Sequence, residues 1–197
     1  MTMFKIHTVD TAPEKSREIL KAVQAKMGFV PNLVGELADA PVALKGWVDL
    51  KSNLETGALS AVEREIVQMT VSWLNDCGYC LAAHSTLGLA ANVPADVIEA
   101  LRHDKPLKDA KHEALHLFTK AVMKRMGRAD AHDIEAFMAA GYLHTHVLEV
   151  VMNISAAIMT NYVNHIARTP LDKHFEGQRI EAHVDAHKSE LRRVDAA

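Results

Sequence analysis

The chain has 197 residues, of which 49% are hydrophobic and only 5% aromatic, and its formal net charge is −3 at pH 7. This length fits one domain that can bury a substantial core, and the weakly acidic balance excludes the basic stripe expected of a nucleic-acid-binding protein. The many Ala, Leu, Val and Met residues favour helices packed on helices. We therefore predict an all-α, single-domain fold.

The two cysteines and the absence of export signals predict a cytoplasmic location. The first ten residues, MTMFKIHTVD, contain no apolar core of a secretory signal. The longest apolar region, residues 147–163, is interrupted by Glu149, Asn153 and Asn161, which makes it too polar for a membrane span. Cysteines only three residues apart in such a chain argue against a framework of structural disulfides.

Local start and stop signals predict the helices of the first third of the chain. Pro13 opens a helical pattern for which Gly28 is the stop signal. A short helix is predicted between Phe29 and Pro41. Pro41 begins a further helix that ends within residues 53–57.

The second half of the chain is also predicted to be helical, without strand alternation or repeats. The predicted helices follow Pro94 and then cover residues 110–126, 131–140 and 145–167. After Leu171 the chain turns polar. We predict a helical domain over residues 1–172 and a polar tail or subunit-packing arm over residues 173–197.

The stretch from Ser60 to Leu89 contains the residues that suggest chemistry. Ser60 and Glu63 have the S-x-x-E form of a capping box, so a helix is predicted to start at Ser60. Glu65 lies about 60° from the middle of the apolar stripe of that helix. This position is near the buried edge, where the proton affinity of a carboxylate tends to rise.

Cys77 and Cys80 form a C-x-x-C pair, and His84 follows four residues later. If a second helix begins near Cys77, His84 lies almost two turns below it and Cys80 about 60° to one side. The first turn of a helix exposes unpaired N–H groups that stabilise a thiolate, and a base one turn below can move the proton. The spacing therefore indicates a redox thiol site.

Other interpretations of the pair stay open at this point. Four possible zinc ligands are present: Cys77, Cys80, His84 and Glu65. Structural zinc sites, however, usually draw on two widely separated ligand pairs, and this chain has no second Cys pair. Purely structural cysteines are a further alternative. A thioredoxin-like fold is disfavoured because its dithiol follows a strand, whereas a helix precedes this pair.

Three further features are candidates for a role at or near a site. His112 to His116 reads H-E-x-x-H, the zinc-protease signature, but an exposed helix face is the favoured interpretation. Tyr79 lies between the cysteines and is a possible site-lining residue. His165, in the run NYVNH, is another candidate, for a role in supporting the catalytic groups rather than in contacting the substrate.

The spacing E-x(11)-C-x-x-C-x-x-x-H resembles that of the alkylhydroperoxidase AhpD-like branch of the carboxymuconolactone decarboxylase superfamily. The surroundings are similar too. The segment FVPNLVGELADAP, with the following Leu44 and Trp47, resembles the family's entry segment, and LSAVEREIV resembles its helix before the cysteines. The segment NYVNHIARTPLD resembles the end of the peroxidase-related subgroup. The resemblance covers residues 13–172. The chain departs from the best-known AhpD proteins at Tyr79, where they have histidine.

The resemblance implies an AhpD-like helical bundle that assembles as a trimer or hexamer and reduces hydroperoxides. By analogy, Cys80 is the peroxidatic thiol, Cys77 the resolving thiol, and His84 with Glu65 the proton relay. The implied partners are a small hydroperoxide and an external lipoyl- or thioredoxin-like dithiol. No metal or organic cofactor is implied beyond the redox-active pair Cys77 and Cys80.

Two alternative functions accompany this prediction. One is a general thiol–disulfide oxidoreductase with poor peroxide turnover. The other is a redox-responsive or zinc-binding interaction module without catalysis. Lactone decarboxylation is a more distant expectation, because the decarboxylases of the superfamily lack the C-x-x-C pair.

Overall fold

The computed structural model describes residues 4–180, and within that range the chain is helical without a strand. The elements are α1 (Glu14–Met27), α2 (Asn32–Leu37), α3 (Pro41–Glu55), α4 (Ala61–Leu74), α5 (Gly78–Ala90), α6 (Ala95–Arg102), α7 (Ala110–Lys124), α8 (Ala131–Ala139), α9 (His144–Ala167) and a 3₁₀ helix (Lys173–Gln178). The predicted all-α class is confirmed. No described helix combines the length and the apolar content that crossing a bilayer requires.

The helix boundaries follow the local signals in the sequence. Helix α1 ends at Gly28, whose φ of 83° is the left-handed conformation that glycine adopts without steric cost. At the start of α4, the Ser60 hydroxyl accepts a hydrogen bond from the Glu63 N–H at 3.2 Å. The Glu63 carboxylate in turn accepts one from the Ser60 N–H at 2.8 Å. The predicted capping box is therefore present.

Helix α4 is the centre of the main core. It packs against α5, α7 and α9, and its apolar side chains are fully buried at Ile66, Val67, Met69 and Val71. Polar side chains cross the α4–α9 contact as well: the Gln68 amide donates to the backbone carbonyl of Asn153 at 3.2 Å and to its side-chain oxygen. Helices α4 and α9 thus hold a fixed register, which determines what faces the start of α5.

A second, smaller core joins α1, α2 and α3, with Leu20 and Leu44 fully buried. The 3₁₀ helix packs on α5, where Phe175 is buried against Ala82 and Ala83. Residues up to 180 therefore contact the helical bundle. The predicted division after residue 172 stays a prediction, and most of the predicted tail lies outside the described residues.

The buried carboxylate of Glu63 gives the fold a charge-dependent contribution to stability. Burial opposes its ionisation, but the hydrogen bonds from Ser60 and from Lys111, 3.2 Å away, lower the pKa of Glu63 from 4.5 to about 2. A carboxyl whose folded-state pKa is depressed stabilises the fold above its ordinary pKa and loses this contribution as the pH falls. The stabilisation is therefore present at neutral pH and disappears between pH 4.5 and about 2.

We expect Glu63→Gln, which keeps the shape but removes the charge, to lower the free energy of unfolding at neutral pH by about 1 to 3 kcal/mol. Urea unfolding of both proteins at neutral pH and near pH 3 measures this, and the difference shrinks at the lower pH. Glu18→Gln, at an exposed ion pair with Lys21, is the control and changes little. A Glu63→Gln deficit that is the same at both pH values would contradict the assignment.

Candidate active site

Cys77 and Cys80 are free thiols at the start of α5, and they are 1% and 3% exposed. Cys77 is the N-cap residue of the helix, and its sulfur accepts a hydrogen bond from the Cys80 N–H at 3.4 Å. The pair therefore occupies the position where a helix offers unpaired N–H groups and a positive dipole end. This is the placement that the sequence predicted.

The turn between α4 and α5 places the cysteines against the main core. Asp76 has a φ of 56°, a left-handed conformation that reverses the chain within three residues of the end of α4. The Cys77 N–H then donates to the Ser72 carbonyl at 2.9 Å. The start of α5 is thus tied to the last turn of α4, next to the residues of α9 that pack on α4.

Two amide side chains of α9 reach the sulfurs from the opposite side. The Asn164 Nδ2 group donates to Cys80 Sγ at 3.1 Å and lies 3.8 Å from Cys77 Sγ. Asn161 donates to the Ser72 hydroxyl at 3.3 Å and accepts from the Asn75 amide at 2.9 Å. Both asparagines are at least 95% buried, so their amides replace solvent around the thiol pair.

The two thiols differ in proton affinity. Burial opposes ionisation of Cys80, but the hydrogen bond with Cys77, the charge of His84 and the amides of Asn161 and Asn164 lower its pKa to about 7. The hydrogen bond to Cys80 raises the pKa of Cys77, and burial raises it further. Cys80 is therefore the thiol of the pair with the lower pKa.

His84 and Glu65 form a buried hydrogen-bonded pair below the cysteines. His84 Nδ1 lies 2.7 Å from Glu65 Oε2, and both side chains are more than four-fifths buried. Burial favours the neutral acid, but His84 and then Lys51 and Arg64 hold the pKa of Glu65 below its usual value. An ionised carboxylate can only accept, so Nδ1 donates to it, and Nε2 is the ring nitrogen left to exchange a proton with another group.

Tyr79 is half-buried beside the pair, and its hydroxyl is held by hydrogen bonds. Its hydroxyl donates to the Asp172 carboxylate at 2.6 Å, and the backbone N–H of Asn32 donates to the same carboxylate at 3.1 Å. Burial and the neighbouring Asp172 raise the pKa of Tyr79, so the phenol stays protonated. Tyr79 therefore links α5 to the start of α2 and to the segment before the 3₁₀ helix.

The polar run near the end of α9 contributes a different residue from the one that the sequence favoured. His165 is exposed, whereas Asn164, its neighbour along the helix, is 5% exposed and contacts both sulfurs. Asn161 and Asn164 belong to the polar run that the sequence offered as possible pocket lining, but His165 was preferred within it. The available signal was their i, i+3 spacing, which places two amides on one face of an apolar helix.

The residues of the H-E-x-x-H run have other partners. Glu113 accepts a hydrogen bond from the Leu107 N–H at 2.7 Å, and the buried His116 contacts Thr70 and Asp104 at 2.8 and 3.2 Å. These contacts explain the run as structural.

Among residues 4–180, one group of three potential metal ligands has its ligand atoms close together. It consists of Asp130, His132 and Asp133 at the start of α8. The possible zinc ligands named from the sequence do not form such a group: Glu65, Cys77, Cys80 and His84.

Comparison of the sequence with protein families identifies one match. The carboxymuconolactone decarboxylase family matches residues 41–120, a range that contains Glu65, Cys77, Cys80 and His84. The sequence matches no curated protein.

Several solved structures share the fold over most of the chain. A peroxidase-related protein from Silicibacter sp. TM1040 is 23% identical, with a TM-score of 0.77 over 90% of this chain and 95% of that one. A peroxidase-related AhpD-core protein from Ralstonia eutropha JMP134 is 21% identical, with a TM-score of 0.79 over 88% and 94%. The debrominase Bmp8 in complex with 2,3,4-tribromopyrrole is 14% identical, with a TM-score of 0.75 over 90% and 97%. The predicted resemblance is therefore confirmed: residues 41–120 match the carboxymuconolactone decarboxylase family, and the fold is shared with AhpD-like proteins.

Proposed function

We propose that the chain is a thiol-dependent hydroperoxide reductase in which Cys80 is the peroxidatic thiol and Cys77 the resolving thiol. The observation that carries the proposal is the buried pair of free thiols at the start of α5, where Asn164 Nδ2 lies 3.1 Å from Cys80 Sγ but 3.8 Å from Cys77 Sγ. In keeping with this geometry, the pKa of Cys80 is lowered and that of Cys77 is raised. A thiolate that forms near neutral pH beside a protonated thiol is the arrangement that two-step thiol oxidation needs. The AhpD-like fold supports the same proposal.

The first step oxidises Cys80. His84 Nε2 takes the thiol proton, while Glu65 holds the imidazole through Nδ1. The Cys80 thiolate attacks the terminal oxygen of R–O–O–H, so that an S–O bond forms and the O–O bond breaks. The leaving alkoxide takes the proton from His84, giving an alcohol and the sulfenic acid of Cys80.

The second step forms the disulfide and the third restores the thiols. The Cys77 sulfur displaces hydroxide from the sulfenic acid, and its own proton completes a water molecule. An external dithiol then reduces the Cys77–Cys80 disulfide by exchange, which transfers two electrons and two protons. A lipoyl- or thioredoxin-like carrier has the chemistry that this step requires.

The mass of the intact protein tests the proposal. After one equivalent of an organic hydroperoxide, we expect the native protein to lose two titratable thiols and about 2 Da. The Cys77→Ser variant instead stops at the sulfenic acid and gains about 16 Da, because no second thiol resolves it.

The alternatives give other results in the same experiment. Two thiols that stay free after hydroperoxide, together with rapid reduction of a small disulfide, indicate a general thiol–disulfide oxidoreductase. Two free thiols without either reaction indicate an interaction module, and metal analysis then tests zinc. A Cys77→Ser protein whose mass does not change would mean that Cys80 is not the peroxidatic thiol.

A second candidate reaction is reductive dehalogenation, which the fold shared with the debrominase Bmp8 favours. A dithiol that becomes a disulfide supplies two electrons and two protons, enough to convert one C–Br bond into C–H and HBr. Incubating the reduced protein with 2,3,4-tribromopyrrole and measuring bromide separates this activity from peroxide reduction. Bromide release without peroxide consumption would replace the first proposal.

Assembly into a homo-oligomer is also part of the proposal. Helix α9 leaves a row of apolar side chains exposed in the single chain: Leu148, Val151, Tyr162 and Ile166. A row of this kind forms a larger apolar surface than apolar residues that are scattered singly, and it fits a contact between subunits. Light scattering of the purified protein tests whether a trimer or hexamer forms.

A further inference from the structure

We propose that the Asn164 carboxamide is a catalytic group of the thiol site, whose N–H donates to the Cys80 thiolate and whose oxygen accepts the O–H of the hydroperoxide. We call the N–H contact with Cys80 the donor half of this inference and the contact of the oxygen with the hydroperoxide its acceptor half. Only the acceptor half rests on the proposed function. The donor half concerns the ionisation of Cys80 and holds for any reaction of that thiol.

The donor half follows from the contacts of Nδ2. This nitrogen lies 3.1 Å from Cys80 Sγ, well inside hydrogen-bond range for sulfur, and farther, at 3.8 Å, from Cys77 Sγ. A hydrogen bond to an ionised acceptor is stronger than one between neutral groups. The contact therefore stabilises the thiolate of Cys80 more than its thiol, in a place that solvent does not reach.

The acceptor half follows from the other end of the same amide. Asn164 is 5% exposed, and its Oδ1 atom has no hydrogen-bond partner within the part of the chain that the structure describes. A buried amide oxygen without a partner is costly, and such atoms in native proteins are rare. Because the nitrogen and oxygen of one carboxamide are about 2.3 Å apart, Oδ1 lies within about 5.4 Å of Cys80 Sγ.

This geometry matches the group that the reaction brings to the sulfur. A hydroperoxide presents its terminal O–H to the thiolate, and that hydrogen needs an acceptor near the sulfur. After attack, the same O–H group is bonded to sulfur in the sulfenic acid, so Oδ1 can accept its hydrogen before and after the O–O bond breaks. No proton is transferred to the amide, and the proton balance through His84 is unchanged.

The donor half is tested by the pH dependence of alkylation. Iodoacetamide reacts with the thiolate, and peptide masses separate Cys80 from Cys77. In the native protein we expect the Cys80 alkylation rate to rise through a midpoint near pH 7. In Asn164→Leu and Asn164→Asp, both of which lack the amide donor, we expect the midpoint to rise by about one pH unit or more.

The acceptor half is tested by comparing two electrophiles above the midpoint, where Cys80 is ionised in every variant. The ratio of the rate with tert-butyl hydroperoxide to the rate with iodoacetamide removes differences in thiolate content. We expect this ratio to fall about tenfold in Asn164→Leu, which has no acceptor. In Asn164→Asp, which keeps an oxygen in the same place, we expect the native ratio.

Asn153→Leu is the matched control. It removes another buried amide of α9, about 16 Å along the helix, whose contacts are with Gln68 and Arg64 and not with sulfur. We expect it to lower thermal stability while leaving the alkylation midpoint and the rate ratio unchanged. An effect of Asn153→Leu on either would mean that loss of packing alone explains the Asn164 variants.

The possible results separate the inference from the proposed function. An unchanged midpoint in both Asn164 variants overturns the donor half, and equal loss of both rates in Asn164→Leu overturns the acceptor half. If Asn164→Leu does not fold, the Asn164→Asp midpoint decides the donor half alone. If Cys80 of the native protein is alkylated with a midpoint near pH 7 but the protein reacts with no hydroperoxide, the proposed function is overturned. The alkylation midpoints of the Asn164 variants then still decide the donor half.

Discussion

We expect Cys80→Ser to abolish the proposed hydroperoxide consumption, with a loss of more than about a thousandfold, the scale on which removing a catalytic nucleophile acts. The hydroxyl of serine does not ionise at this site, and the remaining Cys77 thiol does not take over. In the native protein the hydrogen bond to Cys80 raises the pKa of Cys77, and burial raises it further. The variant loses the first cause but keeps the second, because Cys77 stays buried at the helix cap. Peroxide consumption with excess dithiol measures the loss.

Cys77→Ser is the matched control for this prediction, since it removes the other sulfur of the same pair. It retains one rapid reaction with peroxide per subunit, whereas Cys80→Ser has none. Thermal unfolding of both variants shows whether the helix start is intact. Full turnover by Cys80→Ser would mean that Cys80 is not the nucleophile.

His84→Asn produces the second large effect, a loss of about a hundredfold to ten-thousandfold at neutral pH, the usual contribution of a general base. The variant lacks both the base and the positive charge that lowers the pKa of Cys80. The pKa of Cys80 therefore rises in the variant, and its thiolate forms only at higher pH. The deficit is largest near pH 7 and smaller above about pH 9.

Initial rates from about pH 6 to about pH 9 measure this profile. His165→Asn is the control, because His165 is exposed at the end of α9, and we expect it to keep the native rate and profile. A His84→Asn deficit of the same size at every pH would show that His84 acts through structure rather than through the proton of Cys80.

Much of the fold was predictable because its signals are local. The Ser60–Glu63 capping box and the stop at Gly28 depend on contacts within one turn, and both are present as predicted. The relation of Cys77, Cys80 and His84 follows from helix geometry alone once the start of α5 is known. The contact between His84 and Glu65 joins two adjacent helices, and the family motif predicted it.

The rest of the site depends on contacts between distant parts of the chain. Asn164 is 84 residues from Cys80, and the Tyr79 hydroxyl finds its acceptor 93 residues away in Asp172. Periodicity indicated that α9 is helical, but not which of its polar residues would face the start of α5. That choice is set by how α9 packs on α4, which the sequence pattern does not specify.

The burial of both sulfurs has a consequence for how the site meets its surroundings. With 1% and 3% of their surfaces exposed, Cys77 and Cys80 react only during fluctuations that open a path to them. A small hydroperoxide needs a smaller opening than a protein dithiol does, so oxidation of the pair requires less local unfolding than its reduction by such a partner. The frequency of these openings, rather than the intrinsic strength of an oxidant, then sets the highest rate at which the pair can respond.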